Sequence, residues 1–243
     1  MVGTFDVENY GDLLFPLIAK HELRSRLGDV DIIPFSYFAK TSDSWPFTVR
    51  SLTDLVEMLP QLDALLIGGG YLIRFDAEVA PGYGPPSADI HHPTGYWLMP
   101  ALAAIEHGIP VLRNAPGMND NEIPQWAAPL MEIALRRSDY VAVRDPSTRE
   151  ALLRFGRADI EVVPDTASGL STHPRVASIE ADRPWTAAGL RLPYIAVQAS
   201  ISSRPFVDWV TSRPDEFKGY QFLAIRISPA LGDRDAAVAA LTS

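Results

Sequence analysis

Arg144 and the triple glycine Gly68-Gly69-Gly70 are the residues of this chain best suited, by type and position, to do chemistry. Each ends an apolar run: Ala64-Leu-Leu-Ile67 leads into the glycines, and Tyr140-Val-Ala-Val143 leads into Arg144. Apolar runs without alternation mark parallel strands covered on both faces. Glycines at the carboxyl end of such a strand reach positive φ and let a ligand approach the main chain. In open α/β sheets that edge is where ligands bind. A guanidinium at the same edge can hold a carboxylate or phosphate through paired hydrogen bonds. The plainer alternatives are a salt bridge from Arg144 to a neighbour such as Asp145, and a bare tight turn at the glycines.

Asn9-Tyr10-Gly11-Asp12 adds a second group near the amino end. Gly11 permits a tight turn, the helix-start amides favour an anion, and Asn9 both donates to and accepts from a sugar or phosphate oxygen. The alternative is an ordinary cap at Asp12. Asp165 follows a strand and a proline; it suits either a sugar-hydroxyl acceptor or a helix cap, and both stay open. His91-His92-Pro93 reads as a solvated loop rather than a metal site, since adjacent histidines point different ways. His107 complements the end of a helix. The glycine run is not a dinucleotide fingerprint, and the chain has no Walker A lysine loop, nucleophile elbow or zinc-protease spacing. No metal and no cofactor are called for.

Composition narrows the classes further. With 243 residues, 47% hydrophobic and 21% charged, the chain can bury a sizeable core. A net charge of −9 argues against nucleic acid and anionic membrane surfaces as partners. An anionic substrate therefore has to be met locally, by arginine or by backbone amides. Cysteine is absent, which removes disulfides and thiolate chemistry and fits a cytoplasmic protein. No apolar stretch reaches the ~20 residues of a membrane span.

These residues need a scaffold, and the pattern supplies alternating strands and helices. Strands are expected at Met1–Phe5, Val30–Phe35, Leu62–Ile67, Ile109–Arg113, Tyr140–Val143 and Ile160–Val163. Helices are expected at Asp12–Leu27, Thr53–Leu59, Thr94–His107 and Ile123–Arg137, with one more capped by Asp145, opened by Pro146 and closed by Gly156. A long loop joins Tyr71 to Pro93, and Asn114–Asp120 is a turn. The fold class is α/β with a doubly wound, mostly parallel sheet. Residues 1–170 form the first domain and 171–192 a linker. Residues 193–243 form an incomplete second α/β domain, with strands at Tyr194–Ala199 and Phe222–Ile227 and a helix at Asp233–Leu241.

In order and spacing, the segments Asn9–Asp12, Asp63–Gly70, Val141–Ser147, Val162–Asp165 and Tyr194–Gln198 resemble the polysaccharide pyruvyl transferase family, from Val2 to about Gln198. The resemblance implies a Rossmann-like first domain of the two-domain glycosyltransferase B kind. It implies transfer of a pyruvyl group from phosphoenolpyruvate to a pair of sugar hydroxyls on a polysaccharide or glycan precursor. On that basis Arg144 is the catalytic residue that binds the donor's phosphate or carboxylate. Asn9, Gly11, Asp12, Gly68, Gly69, Gly70 and Asp165 bind substrate, and a homo-oligomer is allowed for. The family's second half carries an Arg-x-His motif that has no counterpart between Tyr194 and Ser243. The chain is accordingly expected to be shortened at both ends, with its general acid in a missing carboxyl-terminal region, and to be weak or inactive alone. A nucleotide-sugar glycosyltransferase and a non-catalytic fragment are the alternatives.

Overall fold

The computed structural model describes residues 1–75, 97–118, 123–174, 176, 189, 193–228, 233 and 236–241. Contacts divide it into two compact units: Met1–Val7 with Asp12–Leu170, and Glu8–Gly11 with Ser171–Ser243. The architecture is mixed α/β with parallel sheets. His91, His92 and Pro93 lie outside the described residues, as do most of the long loop and most of the 171–192 segment.

The first unit is built on short parallel strands: β1 (Phe35–Ser36), β2 (Arg50–Ser51), β3 (Leu65–Gly68), β4 (Val111–Asn114), β5 (Tyr140–Val143) and β6 (Glu161–Val162). β3, β4, β5 and β6 pair in that order, and β1 pairs β2. Val2 makes parallel bridges to both Phe35 and Ile67, so it joins the two sets. The order β2, β1, Val2, β3, β4, β5, β6 reverses direction at Val2.

Strand residues alternate between two cores. Leu65, Ile67, Val111, Val141 and Val143 pack with helical residues Leu55, Leu98, Ala101, Met131 and Leu135. Leu66 packs with Phe15 and Ala19 in a second cluster. Both faces of the central strands are therefore covered, which is why β3 is apolar throughout. The helices are α1 (Tyr10–Leu27), α2 (Leu55–Met58), α3 (Leu98–Glu106), α4 (Ala128–Arg136) and α5 (Pro146–Leu153).

Several boundaries differ from the sequence reading, each for a local reason. The expected strand over Val30–Phe35 contracts to Phe35–Ser36, because Pro34 has no N–H to give a ladder. Met1–Phe5 makes its sheet contacts at Val2. The helix expected from Ile123 starts instead at Ala128, which puts Pro129 in the first turn, where its missing N–H costs nothing. The helix expected over Thr53–Leu59 is α-helical over Leu55–Met58, with 3-10 turns at Leu52–Asp54 and at Leu59–Gln61, the second of which holds Pro60. The strands ending the first unit are also shorter, at Val111–Asn114 and Glu161–Val162.

The second unit pairs β7 (Tyr194–Gln198) with β8 (Gln221–Ile225) in parallel over five residues. A parallel pair needs a crossover, and α6 (Arg204–Thr211), which the sequence reading missed, lies between them. With α7 (Ala236–Leu241), it closes a small core of Val197, Ala199, Val207 and Val238. Asp233 was expected to open the last helix. Its carboxylate instead accepts hydrogen bonds from the Gln198 amide and from the Ile227 and Ser228 N–H groups, tying β7 to the chain that follows β8.

Candidate functional site

The carboxyl ends of β3, β4, β5 and β6 are consecutive along one sheet edge, and each contributes to a single cluster. β3 ends in the triple glycine. Gly69 and Gly70 hold φ of +76° and +68°, a conformation that side chains strain. A Cβ on Gly69 would also lie 2.1 Å from the Phe15 ring of α1. Packing alone therefore demands glycine at 69.

The turn's amides are less bare than its composition suggests. Gly68 N–H donates to the Val2 carbonyl (3.3 Å) and Gly69 N–H to the Asn114 carbonyl (3.1 Å). Gly70 N–H is the amide of this turn with no partner among the described residues. The Gly70 carbonyl accepts from Gly117 N–H at 2.8 Å, which ties the end of β3 to the turn after β4. In that turn Ala115 is buried with φ +58°, a strained value for a residue with a side chain.

β5 delivers Arg144, and the next two residues explain its placement. Asp145 is extended and caps α5, its Oδ1 accepting from Thr148 N–H at 2.7 Å, with Pro146 in the first turn. Burial pushes the Asp145 carboxyl up, but hydrogen bonds from the Ser147 hydroxyl and from the Thr148 N–H and hydroxyl outweigh it and hold the group below its ordinary value. Thr148 Oγ1 in turn accepts from Met118 N–H at 2.9 Å, fixing the loop that carries Gly117 against α5. With Asp145 occupied as a cap, the Arg144 bridge goes elsewhere.

That bridge is to Asp165, at the end of β6. Arg144 Nη1 donates to Asp165 Oδ2 at 3.1 Å, while Asp165 Oδ1 accepts from Ala167 N–H at 2.9 Å. Asp165 therefore both caps the following 3-10 segment and holds the arginine. The Arg144 guanidinium also lies 3.5 Å from the centroid of the Tyr71 ring, a close cation–π contact. Its Nε and Nη2 have no partner among the described residues. These two nitrogens form the side edge of the guanidinium, the pair that matches two oxygens of a carboxylate or phosphate.

Asp12, in the first turn of α1, lies beside the same glycines: a Cβ on Gly70 would sit 3.4 Å from Asp12 Oδ1. Asp12 Oδ2 accepts from Thr4 Oγ1 at 2.6 Å. Gly68, Gly69, Gly70, Asp12, Arg144 and Asp165 thus all belong to the first unit. Asn9 and Gly11 group instead with residues 171–243. Gly11 N–H donates to Asn9 Oδ1 at 3.1 Å, so Asn9, rather than Asp12, holds the capping position of α1.

Sequence reading passed over Tyr71, Gly117, Asn114, Thr4 and Thr166. Asn114 Nδ2 donates to Thr166 Oγ1 at 3.1 Å, linking the ends of β4 and β6. The available signal was positional: Tyr71 directly follows the glycines, and Asn114 closes a strand at the same edge. Among the described residues, no three His, Asp or Glu side chains gather as a metal site, and no helix is long and apolar enough to cross a membrane.

No curated protein and no solved structure shows significant similarity to this chain. The family model for polysaccharide pyruvyl transferase matches residues 9–241, well beyond the Gln198 at which the quoted motifs end. Covering nearly the whole sequence, that match makes the chain a member of the polysaccharide pyruvyl transferase family.

Proposed function

We propose that this protein transfers a pyruvyl group from phosphoenolpyruvate to a pair of hydroxyls on a sugar of a polysaccharide or glycan precursor, and that Arg144 binds the donor. The single observation carrying the reading is the Nε/Nη2 edge of Arg144, unpartnered among the described residues, on a guanidinium stacked on Tyr71, which directly follows the glycine turn at the carboxyl edge of a parallel sheet. The strand order reverses between Val2 and β3, the kind of position where open α/β sheets bind ligands. This supports a Rossmann-like, doubly wound first domain over 1–170. In the glycosyltransferase B arrangement we infer, residues 171–192 link it to a second domain over 193–243.

The chemistry sets requirements. A sugar hydroxyl gives up its proton as its oxygen bonds to C2 of the enol, the methylene gains a proton, and the C–O bond to phosphate breaks. The second hydroxyl then loses its proton and closes the ketal, so that of the two protons released one is matched by the new methyl C–H and one leaves on phosphate. Arg144 stabilises the donor's negative charge as it moves onto the leaving phosphate. A guanidinium holds its proton too tightly to be the proton source. A separate acid that titrates near neutrality has that task. Gly70 N–H and Asp12 are assigned to the substrate on the β3 side, and Asp165 acts by holding Arg144. Asn9 and Gly11 are assigned to substrate binding as well. The absence of cysteine is compatible with work in the cytoplasm, and a homo-oligomer remains part of the reading.

The test is incubation with phosphoenolpyruvate and candidate sugar acceptors, following phosphate release, beside calorimetry with phosphoenolpyruvate and uridine nucleotides. Phosphate release that depends on the acceptor supports the proposal. Tight nucleotide binding without phosphoenolpyruvate binding would replace it with a nucleotide-sugar glycosyltransferase.

A further inference from the structure

We propose that Tyr71 and Gly117 are positioning residues whose joint task is to present the Nε/Nη2 edge of Arg144 to an oxyanion. The identity of that anion rests on the donor reading above; the positioning rests on geometry.

A free arginine side chain samples many rotamers, and ordering it costs entropy. Three contacts remove that freedom here, each acting on a different motion. The Tyr71 face, 3.5 Å from the guanidinium, sets the tilt of its plane. Asp165 holds Nη1 at 3.1 Å and so fixes rotation within that plane. Gly117 supplies the space: a Cβ there would lie 2.5 Å from Arg144 Nε, 3.2 Å from its Cδ and 3.1 Å from Tyr71 Cδ1. Gly117 does not have a positive φ, so its backbone accepts alanine. The three atoms nearest an added Cβ all belong to Arg144 and Tyr71 themselves.

Two observations mark the arrangement as more than packing. The Tyr71 residue is 51% exposed, so the ring is not there to fill a core. The main chain also holds the two positioning residues together, with Gly117 N–H donating to Gly70 C=O at 2.8 Å and Ile73 N–H donating to Gly117 C=O at 3.1 Å. Tyr71 and Gly117 cannot separate without breaking that pair.

Two measurements on the full chain decide the matter. The first is the arginine Nε–H spectrum of ligand-free protein, with the Arg144 signal assigned through Arg144→Lys. Ring current from Tyr71 displaces this signal in the unsubstituted protein and in Tyr71→Phe, and Tyr71→Leu returns it to the position of solvent-exposed arginines. An unmoved signal in Tyr71→Leu overturns the positioning role, whatever the ligand.

The second is calorimetry with phosphoenolpyruvate and with inorganic phosphate. Tyr71→Leu weakens binding roughly tenfold, while Tyr71→Phe, which keeps the aromatic face, stays within about twofold. Gly117→Ala weakens binding at least as much as Tyr71→Leu. If Arg144→Ala abolishes binding while Tyr71→Leu and Gly117→Ala bind like the parent, the positioning idea fails and the donor reading survives. If Arg144→Ala itself binds like the parent, the donor reading fails, and the spectrum alone judges the positioning.

Discussion

Arg113 lies within β4 and Arg144 just past the end of the neighbouring β5, and the two regions they occupy treat the same side chain in opposite ways. Arg113 sits in the interior, 1% exposed, opposite Val141 in the β4–β5 register. Its Nε reaches Ser138 Oγ at 3.3 Å, its guanidinium is 5.8 Å from the Trp97 ring centroid, and Nη1 and Nη2 have no hydrogen-bond partner among the described residues. Burial, reinforced by repulsion from Arg157, lowers its pKa to about 10, which still leaves it charged at neutral pH. Arg144 lies three residues past Val141, at the edge, with a carboxylate, an aromatic face and two nitrogens unpartnered among the described residues. In the interior the charge is a cost to the fold; at the edge it is held by an ion pair and an aromatic face, as the proposed donor contact requires. Position along the strand, rather than residue type, separates the two.

The sharpest way to break the edge is Gly69→Ala. A left-handed backbone costs a side chain ~1–2 kcal/mol, and overpacking against Phe15 adds about 1–3 kcal/mol, so urea denaturation should show a loss of roughly 2–5 kcal/mol. Arg113→Met probes the interior with the opposite sign. Replacing an unpaired buried charge by an apolar chain of similar volume should stabilise by about 1–4 kcal/mol, with phosphoenolpyruvate binding unaltered. A loss of stability there would mean that Arg113 has found compensation the contrast does not include.

Arg144→Ala should reverse that profile. Binding of phosphoenolpyruvate falls by about 1.5–3 kcal/mol, the worth of charge-assisted hydrogen bonds. The Asp165 pair is partly exposed, so denaturation midpoints should move little. Unchanged affinity would remove the functional half of the comparison.

Asp145→Ala is the mildest test. Losing the cap that starts α5 directly after Arg144 should cost about 1 kcal/mol. Because the Asp145 carboxyl titrates lower in the folded chain than in the unfolded one, its stabilisation is present above the ordinary value near ~4 and is lost as pH falls through the folded value. Asp145→Asn should therefore flatten part of the acid limb of a stability–pH curve.

Much of the edge was legible because local chemistry and global placement agree. The apolar run before Gly68 could only be a strand covered on both faces, and β3 is that strand. Asp145-Pro146 could only begin a helix, and α5 starts there. Boundaries shift at prolines, as at Pro34 before β1 and Pro129 in the first turn of α4. The glycine turn, taken as sequence, offers its main chain to a ligand and shows no partner for its amides. Two of them are instead consumed by Val2 and Asn114, residues remote in sequence that no local pattern connects to it.

Sequence by itself determined that a charged side chain and a glycine turn would occupy strand ends, because periodicity and capping are written into adjacent residues. It also determined the family, through the order of several weak motifs. Only the tertiary structure decided which partners Arg144 would meet. Tyr71, Gly117 and Asp165 come from three other strand ends, and parallel pairing brings them to one rim across separations that local chemistry does not encode. The same pairing buried Arg113 completely and left Arg144 partly buried past the end of its strand, since a few residues along a strand carry the chain from a covered interior to the sheet edge.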